Sequence, residues 1–105
     1  MNVLVINSIS KSSLKFEFGE DTVADESMKD YSKMAILLAL QEYPDDNPEQ
    51  CRFIRKKFEN QYGGIWICCK YKIGLGGISY RYYNNSLIIL YGDFKFLIFK
   101  MGNEE

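Results

Sequence analysis

The sequence predicts an α+β fold, two helices packed on an antiparallel β-sheet, and three observations carry that expectation. Residues 25–43 place apolar side chains at three- and four-residue steps. Residues 47–62 repeat that period between a start signal and a double-glycine stop. After Gly64 the pattern changes to alternation, broken by glycine and asparagine turns. Helices followed by a run of strands read as helices against one sheet.

The elements are justified in order. Residues 3–6 ("VLVI") and 14–18 ("LKFEF") each suit a short strand, with a Ser-rich stretch between them; Leu14, Phe16 and Phe18 would share a face. The first helix is expected over 25–43, with Asp25 or Ser27 as N-cap and Met28, Tyr31, Ala35 and Leu38 in register. Its "MAILLALQ" run is apolar nearly all round, which predicts burial on two sides, and Pro44 stops it. The second helix begins with Asn47 as cap, Pro48 at the first helical position, Glu49 beside the dipole and Gln50 completing a capping box. Cys51, Ile54, Phe58 and Tyr62 form its apolar stripe; Arg52, Arg55, Lys56, Glu59 and Asn60 face water. Gly63 and Gly64 supply a left-handed end. A strand over 65–72 puts Ile65, Ile67, Cys69 and Tyr71 on one face and Trp66, Cys68 and Lys70 on the other. A second strand is expected over 78–83, and Ser86–Tyr91 with Phe94–Lys100 form a hairpin across Gly92-Asp93.

Composition narrows the function. The 105 residues suffice for one domain with a thin core, so oligomerisation would usefully bury more apolar surface. A net charge of −1, from 13 basic and 14 acidic residues, gives no bias towards nucleic acid or membrane. No apolar run is long enough to span a bilayer. The first ten residues lack the basic region and cleavage site of a signal peptide. Three cysteines, two of them adjacent, suit reduced thiols in a cytoplasmic protein. Histidine is absent, which removes Ser–His–Asp and Cys–His mechanisms.

The candidate sites are weak as chemistry. Cys68 and Cys69 point to opposite faces, and only Cys51 could join them on a metal, short of the roughly four ligands zinc takes. They are expected to be small buried hydrophobes. "GLGG" (Gly74, Leu75, Gly76, Gly77) opens a strand rather than a helix and lacks a phosphate loop's spacing, so it reads as a strand break. Residues 3–16 are similar to the opening of acetate and propionate kinases, but those chains are far longer and carry a glycine where Ile9 stands. The basic run over 52–57 reads as a solvated helix face balanced by Glu49 and Glu59.

Two segments carry a stronger likeness. "FIRKKFENQYGGIWICC" and "YGDFKFLIFKMG" resemble the small dynein light chain family of the eight-kilodalton type. That family's second helix reads roughly I-K-K-E-F-D-x-x-Y, followed by T-W-H-C and a closing L-G-x-x-A-I-L-L-F-K-S-G. Ile54, Lys56, Phe58, Tyr62, Trp66, Cys68, Gly92, Phe99, Lys100 and Gly102 fall on those positions, and Met28, Ser32, Ala39, Leu40 and Tyr43 fit the first helix. The resemblance divides the chain into an N-terminal extension, 1–13, and a light chain domain, 14–105.

What the resemblance implies is a strand-swapped dimer, homodimeric or paired with a related light chain, that is not an enzyme and needs no cofactor or metal. Its partners would be dynein intermediate chains, taken up as extended segments by β-augmentation, and not nucleic acid or membrane. The partner-binding groove would comprise Leu75, Gly76, Gly77, Ile78, Ser79, Tyr80 and Arg81, with Pro48, Ile88 and Leu90. The dimer interface would use Ile67, Cys69, Gly77, Ser79 and Tyr80. Where the family has a histidine whose protonation splits the dimer, this chain has Ile67. Its groove segment reads "LGGISYR" against F-G-S-Y-V-T-H, Pro48 replaces a client-holding lysine, and Met101 replaces a serine linked to dimer control. These departures, with the leader and the Asn103-Glu104-Glu105 tail, imply a diverged member, in an axonemal outer-arm dynein. The expected location is cytoplasm and cytoskeleton, including the ciliary axoneme. The alternative is a general dimerisation hub for disordered clients, attached to no motor.

Overall fold

The chain's helical periods become two helices because each has a side to bury and a device to stop it. The computed structural model describes residues 14–16, 26–73 and 86–101. Along them run β1 (Leu14–Phe16), α1 (Glu26–Glu42), α2 (Asn47–Tyr62), β2 (Trp66–Lys72), β3 (Ser86–Tyr91) and β4 (Phe94–Lys100). The strands expected over 3–6 and 78–83 lie outside the described residues.

α1 buries Met28, Ser32, Ala35, Ile36, Ala39 and Leu40, a stripe at helical spacing. The expectation of burial on two sides is corrected here. Leu38 is 36% exposed, so even this apolar run keeps one side in solvent. Ser32 is fully buried, and its hydroxyl donates to the Lys29 carbonyl at 2.7 Å, which keeps the polar atom satisfied.

At the start of α2 the cap is Asp46, not Asn47. Its carboxylate accepts from the Glu49 amide at 3.2 Å, and Pro48 sits in the first turn, where a missing N–H costs nothing. Gln50 makes no capping box. It is fully buried, and its amide nitrogen donates to the Tyr43 carbonyl at 2.6 Å, beyond the end of α1. At the other end Gly63 and Gly64 have φ of 72° and 81°, and the Gly63 amide closes onto the Glu59 carbonyl.

The four strands form one antiparallel sheet in the order β1-β3-β4-β2. The hairpin turns at Gly92-Asp93 as expected, pairing Tyr91 with Phe94, and Gly92 has φ 58° as a primed turn requires. Alternation divides the sheet. Leu14, Leu87, Ile89, Phe96, Ile98 and Trp66 face the helices and join Ile36, Ile54 and Phe58 in the main core. α1 packs on α2, and α2 on β2. Ile88 and Leu97 lie on the opposite face, paired in register and 7% and 2% exposed.

An aromatic cluster sits where α2 turns into β2. The Phe58 ring lies 4.8 Å from Trp66 and 5.6 Å from Tyr31 between centroids, the latter edge-on. Trp66 donates its indole N–H to the Gly63 carbonyl at 2.9 Å and its amide to the Glu59 carboxylate at 3.2 Å. Glu59 was expected to face water; instead it holds the first amide of β2. Tyr31 donates its hydroxyl to the Lys57 carbonyl at 3.1 Å, and burial raises that phenol's pKa. Replacing Phe58 with alanine removes a fully buried ring from this cluster and is expected to cost about 3–5 kcal/mol. Denaturant titration measures it, with Gln61→Ala on exposed α2 surface staying within about 0.5 kcal/mol of the parent.

Candidate functional site

β2 is the strand to which the chemistry-bearing residues of α2 come closest. It pairs with β4 from Trp66↔Lys100 to Lys72↔Phe94, and hydrogen bonds from Met101 to Ile65 and from Ile73 to Asp93 extend that ladder at both ends. It ends the sheet order, so among the described residues its other edge carries no strand. Backbone amides and carbonyls along such an edge are what an added strand would pair with.

The helix side of β2 holds a polar strut. Alternation turns Lys70 inward with Trp66 and Cys68, and its ammonium donates to Asn47 Oδ1 and Gln50 Oε1, each at 2.7 Å. The same nitrogen lies 4.6 Å from the Phe94 ring centroid and 5.3 Å from that of Phe96. One cation thus ties the first turn of α2, the turn after α1 (through Gln50 and Tyr43) and β4. Burial lowers the Lys70 pKa, against the opposing pull of the Cys51 and Cys68 thiols.

Beside the strut, Cys51 and Cys68 meet. The Cys68 thiol donates a hydrogen bond to Cys51, which lowers the Cys51 pKa against the effect of burial, with help from the Lys70 charge. The same hydrogen bond, then burial, pushes Cys68 well above the ordinary thiol range. Cys69, on the opposite face, is raised by burial and by the neighbouring Cys51. All three thiols are free and half-buried, so the expectation of fully buried packing groups is corrected. A cleft of about 350 Å³ opens here, lined by Pro48, Cys51, Arg52, Arg55 and Cys68. A second, of about 450 Å³, lies along α2 between Tyr43 and Asn60.

The basic run behaves as a solvated face. Arg52 pairs with Glu49 at 3.6 Å and Arg55 with Glu59 at 4.0 Å, exposed pairs that contribute little. Among the described residues no group of three or more Cys, Asp or Glu could hold a metal ion, and no helix is long and apolar enough to cross a membrane.

The expected groove and interface residues divide between two faces. Leu75, Gly76, Gly77, Ile78, Ser79, Tyr80 and Arg81 lie outside the described residues. Ile67, Cys69, Ile88 and Leu90 come together on the sheet face away from the helices, with Leu97 opposite both Cys69 and Ile88 and Phe99 opposite Ile67. Pro48 stands apart on the helix side, exposed at the start of α2. One chain by itself does not bring Pro48 to Ile88 and Leu90. Sequence reasoning missed the Lys70 strut and the Cys51–Cys68 contact. Their signal was the alternation that points Lys70 and Cys68 at the stripe containing Cys51. Replacing Lys70 with methionine leaves the buried Gln50 oxygen without its donor and is expected to cost about 1–3 kcal/mol. Lys72→Met, on an exposed position of the same strand, is expected within about 0.5 kcal/mol; urea midpoints of the two variants check the contrast.

No protein-family model matches this chain, and no curated protein matches it. Solved structures do. The dynein light chain-like domain of the Fasciola hepatica calcium binding protein FhCaBP2, as a mercury derivative, superposes with a TM-score of 0.70 at 12% identity, covering 90% of this chain and 97% of that one. The native crystal of the same domain gives 0.68 at 11% identity, covering 90% and 98%. At that identity the likeness is one of fold: two helices on a four-stranded antiparallel sheet, as in a dynein light chain-like domain.

Proposed function

We propose that this chain is a non-catalytic, dimeric hub of the dynein light chain type that takes up extended segments of dynein intermediate chains by β-augmentation. The observation that carries the reading is the edge position of β2 in a sheet of this fold. An edge strand offers main-chain hydrogen bonds to an added strand, and a swapped or client strand would cover an edge that otherwise invites aggregation. The sheet face away from the helices supports the dimer. It carries half-buried Ile67, Cys69 and Phe99, apolar groups that a second copy could bury further, beside an Ile88–Leu97 pair already covered within one chain.

The non-catalytic reading is supported by the absence of histidine and by the work the carboxylates already do: Asp46 caps α2, and Glu59 holds the Trp66 amide. A dimer presents two grooves, so weak single-site binding is strengthened by an effective concentration on the order of millimolar at the second site. The proposal places the chain in the cytoplasm and cytoskeleton as a subunit of an axonemal outer-arm dynein; a motor-free hub would instead accept many clients.

Two measurements test this reading. Fluorescence anisotropy with a labelled Thr-Gln-Thr-type peptide, alongside sedimentation of the same sample, is expected to show a dimer with no binding to that common motif. A segment of a dynein intermediate chain is expected to bind with micromolar affinity. A monomer, or no binding of either peptide, defeats the proposal; tight binding of the common motif favours the general hub. With Ile67 and no histidine anywhere, sedimentation is expected to give the same dimer at pH 7 and at about pH 5, the window in which a histidine switch would act.

A further inference from the structure

We propose that Cys51 and Cys68 form a peroxide-reactive dithiol site, with Cys51 as nucleophile and Cys68 as resolving thiol, whose product is a disulfide joining α2 to β2. The assignment goes beyond the binding role and does not depend on it. It rests on two thiols from different elements, Cys51 on α2 and Cys68 on β2, that line one cleft of about 350 Å³. The cleft gives a small hydroperoxide access to the sulfurs, and two arginines, Arg52 and Arg55, stand at its walls. Cys51 is half-buried rather than sealed. Two neighbours favour its thiolate, the Cys68 thiol and the Lys70 cation.

Cys69 completes the argument as an internal contrast. It is next to Cys68 in the chain yet on the opposite face of the sheet, away from the cleft, and burial disfavours its thiolate. Adjacent residues in a strand rarely satisfy the geometry of a disulfide. The partner for Cys68 is therefore across the helix–strand packing and not beside it in sequence.

The step balances with a hydroperoxide as oxidant. The Cys51 thiolate attacks the terminal peroxide oxygen, the O–O bond breaks, and the released alkoxide takes a proton and leaves as alcohol, or as water when the oxidant is hydrogen peroxide. Cys51 is then a sulfenic acid. The Cys68 sulfur attacks the Cys51 sulfur, the S–S bond forms, the S–O bond breaks, and hydroxide leaves as water with the Cys68 proton. Two thiols and one hydroperoxide yield one disulfide, one alcohol and one water. The thiols are oxidised and the peroxide is reduced.

The test uses the reduced full chain treated with cumene hydroperoxide, alkylated, and mapped as peptides without reduction. One intramolecular bridge between Cys51 and Cys68 is expected, with Cys69 recovered alkylated. In C68S the reaction is expected to stop at a Cys51 sulfenic acid that dimedone captures. A bridge through Cys69, a bridge between chains, or a Cys51 that stays alkylatable overturns the proposal. A measurement on the unaltered chain guards against misfolded variants. With limiting iodoacetamide, Cys51 is expected to label at least about tenfold faster than Cys69; equal rates overturn the assignment.

Discussion

The packing of Phe58 on Trp66 is the contact on which the remaining architecture depends. It fixes how α2 lies on β2, and β2 in turn sets the register of β4 through seven consecutive pairs. Trp66 can serve as that anchor because both of its polar groups are satisfied where it is buried, one by the Gly63 carbonyl and one by the Glu59 carboxylate. A tryptophan with an unpaired indole N–H in the same place would give back much of what its area contributes. The left-handed glycines between helix and strand are part of the same device, since they aim the Gly63 carbonyl at the ring.

Around that anchor the helix–strand seam runs from apolar to polar. At the Trp66 end it is aromatic. Midway it holds the Cys51–Cys68 thiols, and at the far end Lys70 bridges Asn47 and Gln50. A half-buried lysine is tolerable there because two hydrogen-bond acceptors and two aromatic faces replace lost water. The same burial that makes the strut specific also brings a positive charge close to a thiol. Structure and reactivity in this seam therefore share one cause.

The fold was legible from the sequence where a period and a stop coincide. α2 is the best case: a stripe at helical spacing, a proline near its start and two glycines at its end leave little freedom. The Gly92-Asp93 hairpin was equally plain, because a two-residue turn with positive φ permits one register. The capping arrangement was not legible in detail. Asp46 and Asn47 are adjacent acceptors with similar capping strength, and Gln50 was drawn away from the cap by the Tyr43 carbonyl, seven residues back in the turn after α1. The exposure of Leu38 was hidden for a similar reason, since a helix apolar all round does not say which side its neighbours leave open.

What the sequence by itself determined is local: the two helices, the hairpin, the face each strand residue takes, and the absence of histidine chemistry. Period, cap and turn chemistry act over a few residues and need no knowledge of neighbours. What only the tertiary structure decided is which faces meet. It placed Lys70 against Asn47, set Cys68 beside Cys51, and put β2 at the edge of the described sheet. Those outcomes depend on how α2 is set down on the sheet. That placement is a packing optimum over residues far apart in the chain, and no short window of sequence contains it.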